Sequence, residues 1–329
     1  MNGVVAACYR ERADDRGCVL SFGEEPLHHI LIAIRQRFER GDRRVSIAVP
    51  HPELGRGLYP GETTLHQGVL LRHRPLRVWL DLADRLGCRL SLPRAVSDTH
   101  IRLDFEPLDP DRSWHDHQSV DATEKYGAGS VFQRIDKLEE ASFLLDLLEA
   151  LERVRLQPAD RVLDLGVNSG GELAVFDLLD TALSSSLSFV GVDHSRTALA
   201  LARERFPSKT HTFLEADLND LDELELGRFD LVISIGTLQS PGIDDRALLR
   251  SLVQRHLVTD GSLILGFPNS RYLDGELLYG AKMKNFSQPE LSLLVKDLAF
   301  YRKYLHQHKF KVLLTGKYDL FVTAVPVRR

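Results

Sequence analysis

Three carboxylates in the second half of the chain end or interrupt apolar runs, where charge is costly. Asp164 lies inside "RVLDLG" (161–166), Asp193 closes "LSFVGVD" (187–193) and Asp217 closes "THTFLEAD" (210–217). Glycines follow the first at Gly166, Gly170 and Gly171, within "RVLDLGVNSGGE" (161–172). Glycine lets a backbone turn tightly and approach a ligand. A helix opening after such a turn presents unpaired N–H groups and a positive dipole end to an anionic group. Read alone, the loop is equally a tight strand-to-helix turn, and Asp193 equally the cap of the next helix.

These residues need elements to hold them. After a helix over 133–154 come the strand 161–166, a helix from Glu172, and the strand 187–193. A helix over 195–206, strands over 210–217 and 229–236, a helix over 244–257 and a strand over 261–268 follow. Apolar strands alternating with amphipathic helices predict a parallel sheet covered on both faces. The chain ends with a helix over 289–308 and strands over 309–317 and 319–327. So short a connection makes that last pair antiparallel, because a parallel pair needs a long crossover.

The first third reads differently. Helices over 24–41 (Leu27, Leu31, Ile34 and Phe38 on one face) and 75–87, with strands over 43–50 and 100–108, predict a small α/β domain. Residues 106–130 are rich in Pro, Asp, Ser and Gly and read as a linker. The expected division is 1–118 for the small domain, serving substrate recognition or oligomerisation, 119–132 for linker and lid, and 133–329 for the larger domain. Residues 1–120 hold 17 Arg, no Lys and 17 acidic residues, so the net charge of −5 comes from the remainder. That balance excludes a globally basic nucleic-acid binder.

No apolar run approaches the ~20 residues of a membrane span, and the N-terminus lacks a basic start followed by a long apolar stretch. A cytoplasmic protein without membrane association is expected. Cys8, Cys18 and Cys88 are too few and scattered for a disulfide framework or zinc site. His115 and His117 have no further ligand cluster around them, so no metal is expected.

The glycine pattern is G-x-x-x-G-G, not the G-x-G-x-x-G of a dinucleotide fold, which disfavours an oxidoreductase of that kind. It resembles motif I of the class I S-adenosylmethionine (SAM)-dependent methyltransferases, D-x-G-x-G-x-G. Four segments in the order of that family, over roughly residues 126–327, carry the resemblance. It implies a seven-stranded, mostly parallel sheet closing in a C-terminal antiparallel hairpin, SAM as cofactor and methyl transfer as activity. It also implies that Asp164 takes the ammonium of the methionine moiety and Asp193 the ribose hydroxyls. Asp217 and the backbone N–H of Leu218 would meet the adenine, with Gly166 and Gly170 shaping the loop. Ser234 to Gln239, in "FDLVISIGTLQS", would stand beside the transferable methyl. Asn168 departs from the family's glycine; asparagine tolerates left-handed backbone, and its amide is expected to face the cofactor.

The catalytic residues and the acceptor are not legible. There is no Asp/Asn-Pro-Pro-Tyr/Phe signature, and every cysteine precedes residue 89, outside the expected methyltransferase domain. Direct displacement at an already activated methyl is what remains, with alignment of the acceptor as the main contribution. Candidate acceptor-binding residues are Asn269, Arg271 and Tyr272 after the fifth strand, and Tyr126 and Arg134 before the glycine loop. Lysines and arginines outnumber acidic residues by six over 282–317, so RNA stands beside a small molecule as acceptor. The alternative is a non-catalytic module that binds SAM or a partner. Oligomeric state is not legible.

Overall fold

The computed structural model describes residues 7–9, 19–108, 122–240, 242–269 and 292–327. The chain divides into two compact units, one comprising the described residues up to Leu108, the other those from Ala122 onward.

In the first unit, β1 (Ala7–Tyr9), β2 (Val19–Ser21), α1 (Leu27–Glu39) and β3 (Val45–Pro50) are followed by the hairpin β4 (Thr63–His66) and β5 (Val69–Arg72). Then come α2 (Leu76–Arg85), β6 (Cys88–Leu90), β7 (Arg94–Ala95) and β8 (His100–Pro107). The main sheet runs β1-β2-β3-β8-β6, with β7 also on β8. Strands β2 and β3 are parallel, joined through α1. Ile30 and Ile34 of α1 and Trp79 of α2 are fully buried against Ile47, Leu103 and Phe105. The buried seam of α1 therefore includes Ile30, and the predicted Leu31 lies at its margin.

The second unit carries α3 (Ala141–Val154), β9 (Arg161–Leu165), α4 (Val175–Leu179), α5 (Thr181–Ser186), β10 (Ser188–Asp193), α6 (Arg196–Arg205) and β11 (Thr212–Glu215). It continues with β12 (Phe229–Ile235), α7 (Asp245–Ser251), β13 (Leu257–Pro268), α8 (Ser292–Gln307), β14 (Phe310–Gly316) and β15 (Asp319–Pro326). The seven strands order as β11-β10-β9-β12-β13-β15-β14. All are parallel except β15, which is antiparallel to β13 and β14. This is the sheet and terminal hairpin the sequence predicts.

Alternation along the strands sends side chains to two covered faces. Leu163, Leu165 and Val232 pack with Leu248 of α7 and Leu298 and Tyr301 of α8. Val162 and Ile233 pack with Phe143 and Leu147 of α3, Phe176 of α4 and Leu199 of α6. Each such fully buried Leu or Phe contributes roughly 1.5–3 kcal/mol. The chain passes from β9 outward to β10 and β11, then crosses back to β12. A crevice beyond the carboxyl ends of β9 and β12 is the consequence, and parallel sheets bind ligands in such crevices.

Three element boundaries differ from the sequence reading. The helix expected from residue 133 begins at Ala141; Val131–Arg134 and Lys137–Glu139 are 3₁₀ turns. The Gln133 side chain reaches the Tyr126 carbonyl and Asn168, and the Asp136 carboxylate takes the Leu138 N–H, so tertiary and local bonds override helical spacing. The helix from Glu172 is broken at Asp180, whose carboxylate caps α5 through the N–H groups of Ala182 and Leu183. That inserted turn accounts for the 29 positions between Asp164 and Asp193. Helix α7 ends at Ser251 in a π-turn, Leu252–His256, and β13 starts early at Leu257.

Candidate functional site

Beyond the carboxyl ends of β9, β10 and β12 lies a cavity of about 440 Å³, within the roughly 300–1,000 Å³ of small-molecule sites. Its floor is the loop after β9. Gly166 and Gly170 adopt left-handed backbone at φ +76°. A Cβ on Gly166 would stand 2.1 Å from Thr237 Oγ1, and one on Gly170 would stand 2.6 Å from the Phe206 ring. Gly166 lines the cavity, whereas Gly170 packs beneath Phe206 and does not. Asn168 is also left-handed, at φ +47°.

Asn168 lines the cavity, and its amide is held by protein partners. Its Nδ2 donates to the Tyr126 carbonyl at 2.9 Å, and its Oδ1 accepts from Gln133 Nε2 at 2.6 Å and from the Ser169 N–H at 2.8 Å. Gln133 Nε2 also donates to the Tyr126 carbonyl at 2.9 Å. The segment before α3 is thereby strapped to the glycine loop. Glu124 holds its other end, accepting from Ser195 Oγ at 3.0 Å, the Thr197 N–H at 3.3 Å and the Thr197 hydroxyl. Tyr126 and Arg134, both on this strap, line the cavity, with the Tyr126 ring edge-on to Phe132 at 5.3 Å. Burial pushes the Tyr126 hydroxyl pKa up.

Asp193 lies at the end of β10 on the cavity wall and is 8% exposed. Its Oδ2 accepts from the Asn168 N–H at 2.9 Å and its Oδ1 from the Ser195 N–H at 2.8 Å. A carboxylate has about four lone-pair sites, so each oxygen keeps capacity for a ligand hydroxyl. Asp217 and Leu218 line the same side, with Asp217 Oδ1 accepting from the Asn219 N–H at 2.9 Å.

Asp164 is 2% exposed below the loop, and its Oδ2 has no hydrogen-bond partner. Desolvation raises its pKa well above the ordinary value, and the Glu172 and Asp193 carboxylates add to the rise. Glu172 lines the cavity, and burial pushes its carboxyl up to about 7. Its own backbone N–H and then Lys137 pull it back, Asp193 raises it, and Arg205 lowers it again.

Ser234 is fully buried, directs its Oγ to the Leu165 carbonyl at 3.4 Å, and does not line the cavity. The residues that reach the cavity here are Ile235 at the end of β12 and Gly236 and Thr237 just beyond it. Asn269 is not among the lining residues either; it bonds the Lys317 carbonyl through Nδ2 at 3.3 Å and the Tyr318 carbonyl through its N–H at 2.9 Å. Arg271, Tyr272, His115 and His117 lie outside the described residues. Among the described residues no group of three His, Cys, Asp or Glu side chains is placed to hold a metal, and no helix is long and apolar enough to cross a membrane.

Sequence reasoning missed Gln133, Lys137, Glu172 and Asp319, all on the cavity wall. Lys137 Nζ donates to Asp319 Oδ2 at 2.9 Å across 182 positions, and Asp319 is 5% exposed. Nothing in the spacing foretells that pair. Glu172 directly follows Gly171, and its place in the first turn after the loop was the one available signal.

The sequence model of a methyltransferase domain matches residues 162–261. Cyclopropane-fatty-acyl-phospholipid synthase of Escherichia coli K12 is 31% identical over 139 residues, 42% of this chain. The chain spans 34% of the length of that relative, and equally of its counterpart from E. coli O6:H1. A SAM-dependent methyltransferase from Aquifex aeolicus superposes with a TM-score of 0.40 at 16% identity, over 59% of this chain and 98% of that one. Precorrin-6y C5,15-methyltransferase from Geobacter metallireducens gives 0.39 at 16% identity, over 56% and 88%.

Proposed function

We propose, for a chain that belongs to the class I SAM-dependent methyltransferase superfamily, that it transfers the methyl group of SAM to a small molecule or an RNA by direct displacement. The observation that carries this reading is the convergence of Gly166, Asp193, Asp217 and Leu218 on one cavity beyond the carboxyl ends of the parallel strands.

The residues present fit the cofactor. The wall carboxylates of Asp193 and Glu172 suit a cationic ligand group, and Asp164, which is not among the lining residues, keeps a buried Oδ2 without a hydrogen-bond partner. In this reading Asp193 holds the ribose through the oxygen capacity its two backbone bonds leave. Asp217 and Leu218 hold the base, and Asp164 with Glu172 faces the amino-acid end. SAM supplies an electrophilic methyl on a sulfonium, which leaves readily. The protein's part is to orient the acceptor and exclude water, which effective-molarity arguments make the larger share of acceleration. The strap from Glu124 to Lys137 shields the cavity, and Thr237, Pro268, Lys137 and Asp319 form the wall nearer β12 and β13, where an acceptor would enter.

Incubation of the protein with methyl-labelled SAM and fractionated cell extract tests the reading. Label entering a small-molecule or RNA fraction supports it and identifies the acceptor class. SAM binding without label transfer to any fraction would instead identify a non-catalytic binding module.

A further inference from the structure

The stretch from Gln133 to Lys137 is pinned at both ends and crosses the carboxyl edge of the sheet. Gln133 is held by Asn168, in the loop after β9. Lys137 is held by Asp319, which opens β15 and pairs in register with Pro268 at the end of β13. In the sheet order β9-β12-β13-β15 the crossing therefore passes over the ends of β12 and β13. Every residue from Gln133 to Lys137 lines the cavity. Of the charged groups on this crossing, Lys137 is engaged by Asp319 at 2.9 Å and by Glu140 at 3.7 Å, and the Asp136 carboxylate accepts from the Leu138 N–H at 2.9 Å. Arg134 is different. It is exposed and lines the cavity, yet among the described residues its guanidinium has no hydrogen bond, ion pair or ring contact. Ile135 beside it, with Ile235 at the end of β12 and Pro268 at the end of β13, makes this part of the wall apolar.

Resting on the reading of this cavity as a site of methyl transfer, we propose that the acceptor is a small organic anion, its carboxylate or phosphate taken by Arg134 and its carbon body lying on Ile135, Ile235 and Pro268. A guanidinium presents a rigid fork of donors that matches either anion with two parallel bonds. One unengaged cation fits one anionic group. RNA presents a phosphate at every nucleotide and is bound through several cations that track its backbone. No described residue of the basic stretch 282–317 lines the cavity, so that excess of charge does not serve such a path here. The carboxylate of SAM has a different cation. Arg205 also lines the cavity, and its charge acts on Glu172, in the turn after the glycine loop. Arg134 stands instead on the crossing over β12 and β13, beside the wall where the acceptor enters.

The test divides the small-molecule fraction of a cell extract on an anion-exchange column at neutral pH and incubates each pool with the full chain and methyl-labelled SAM. Label should enter the retained, anionic pool. With the labelled acceptor isolated, Arg134→Gln should lower kcat/KM by about tenfold or more, chiefly by raising KM, as loss of a binding contact to a charged group requires. SAM affinity should stay at its wild-type value. Arg134→Lys, which keeps the charge without the fork, should recover part of the loss. Label in the unretained pool, or in RNA, overturns the proposal and leaves methyl transfer standing. A fall in SAM affinity in Arg134→Gln would give the guanidinium to the cofactor's carboxylate and overturns it as well, as do wild-type kinetics in that variant. SAM binding without label in any fraction overturns the transfer reading, and this proposal with it. Should Arg134→Gln not fold, the pool that takes the label decides together with Arg134→Lys.

Discussion

Gln133 donates to the side-chain oxygen of Asn168 at 2.6 Å, joining the strap before α3 to the loop after β9 across 35 positions. Asn168 takes a backbone conformation for which glycine is the usual choice, so its side chain has a separate reason to be there. That reason is the strap. Replacing Asn168 by Gly should keep the loop and release the strap. Hydrogen exchange over residues 124–133 should then rise severalfold, and SAM should dissociate faster. Gln133→Ala should do the same with Asn168 intact. Unaltered exchange in both variants would mean that the strap is held by Glu124 alone.

Asp193→Ala should affect cofactor and fold together. Its carboxylate accepts from the backbone N–H groups of Asn168 and Ser195, and leaving buried donors unpaired costs about 1–3 kcal/mol. The loss of hydrogen bonds to a charged group should weaken SAM binding by about 1.5–3 kcal/mol. Thermal unfolding and equilibrium binding measure the two effects. A variant with wild-type melting temperature and wild-type affinity would remove Asp193 from the site.

Regular elements were legible because period-2 and helical spacing reflect burial, and the alternation of Val162 and Leu163 between two cores is the physical form of that pattern. The antiparallel ending followed from connection length alone. Legibility failed where a side chain bonds at long range. Gln133 turns an amphipathic stretch into 3₁₀ turns because its amide is held by Asn168 and Tyr126. Of the stretch Ser234 to Gln239 expected beside the methyl, Ile235 to Thr237 reach the cavity, while Ser234 is fully buried with its Oγ on the Leu165 carbonyl. The Lys137–Asp319 pair has no local signal at all.

The stability of the free protein should depend on pH in the sense opposite to that of a salt-bridged carboxylate. The Glu172 pKa is raised from its ordinary value of 4.5 to about 7, and Asp164 shifts in the same direction. The folded chain thus binds more protons than the unfolded chain between those values, and stability falls as pH rises through that window. Glu172→Gln should flatten the fall and be the more stable form above about pH 7. Chemical denaturation at several pH values checks this; a wild-type stability that rises steadily from about pH 5 to 7 would contradict it.

We expect the first unit to serve acceptor choice rather than cofactor binding. Every residue of the cavity wall lies at or beyond Tyr126, and the second unit has cores of its own on both sheet faces. A shortened chain starting near Asp121 should fold and bind SAM with unchanged affinity, yet lose methyl transfer to the acceptor found by labelling. Full turnover from that chain would assign the first unit to stability or oligomerisation.

The acceptor end of the cavity can be tested through Lys137 and Asp319. Removing one member of this partly buried pair leaves the other's charge less compensated, so the useful variant changes both, Lys137→Gln with Asp319→Asn, which keeps a hydrogen bond and removes the charges. If the pair orients the acceptor, SAM affinity should hold while kcat/KM for the acceptor falls roughly tenfold or more, because a positioning contact acts on the transfer step. A fall confined to KM would mean that the pair binds the acceptor without aligning it. Wild-type kinetics would move the search to Arg271 and Tyr272, where the corresponding test is Arg271→Ala and Tyr272→Phe on the same acceptor.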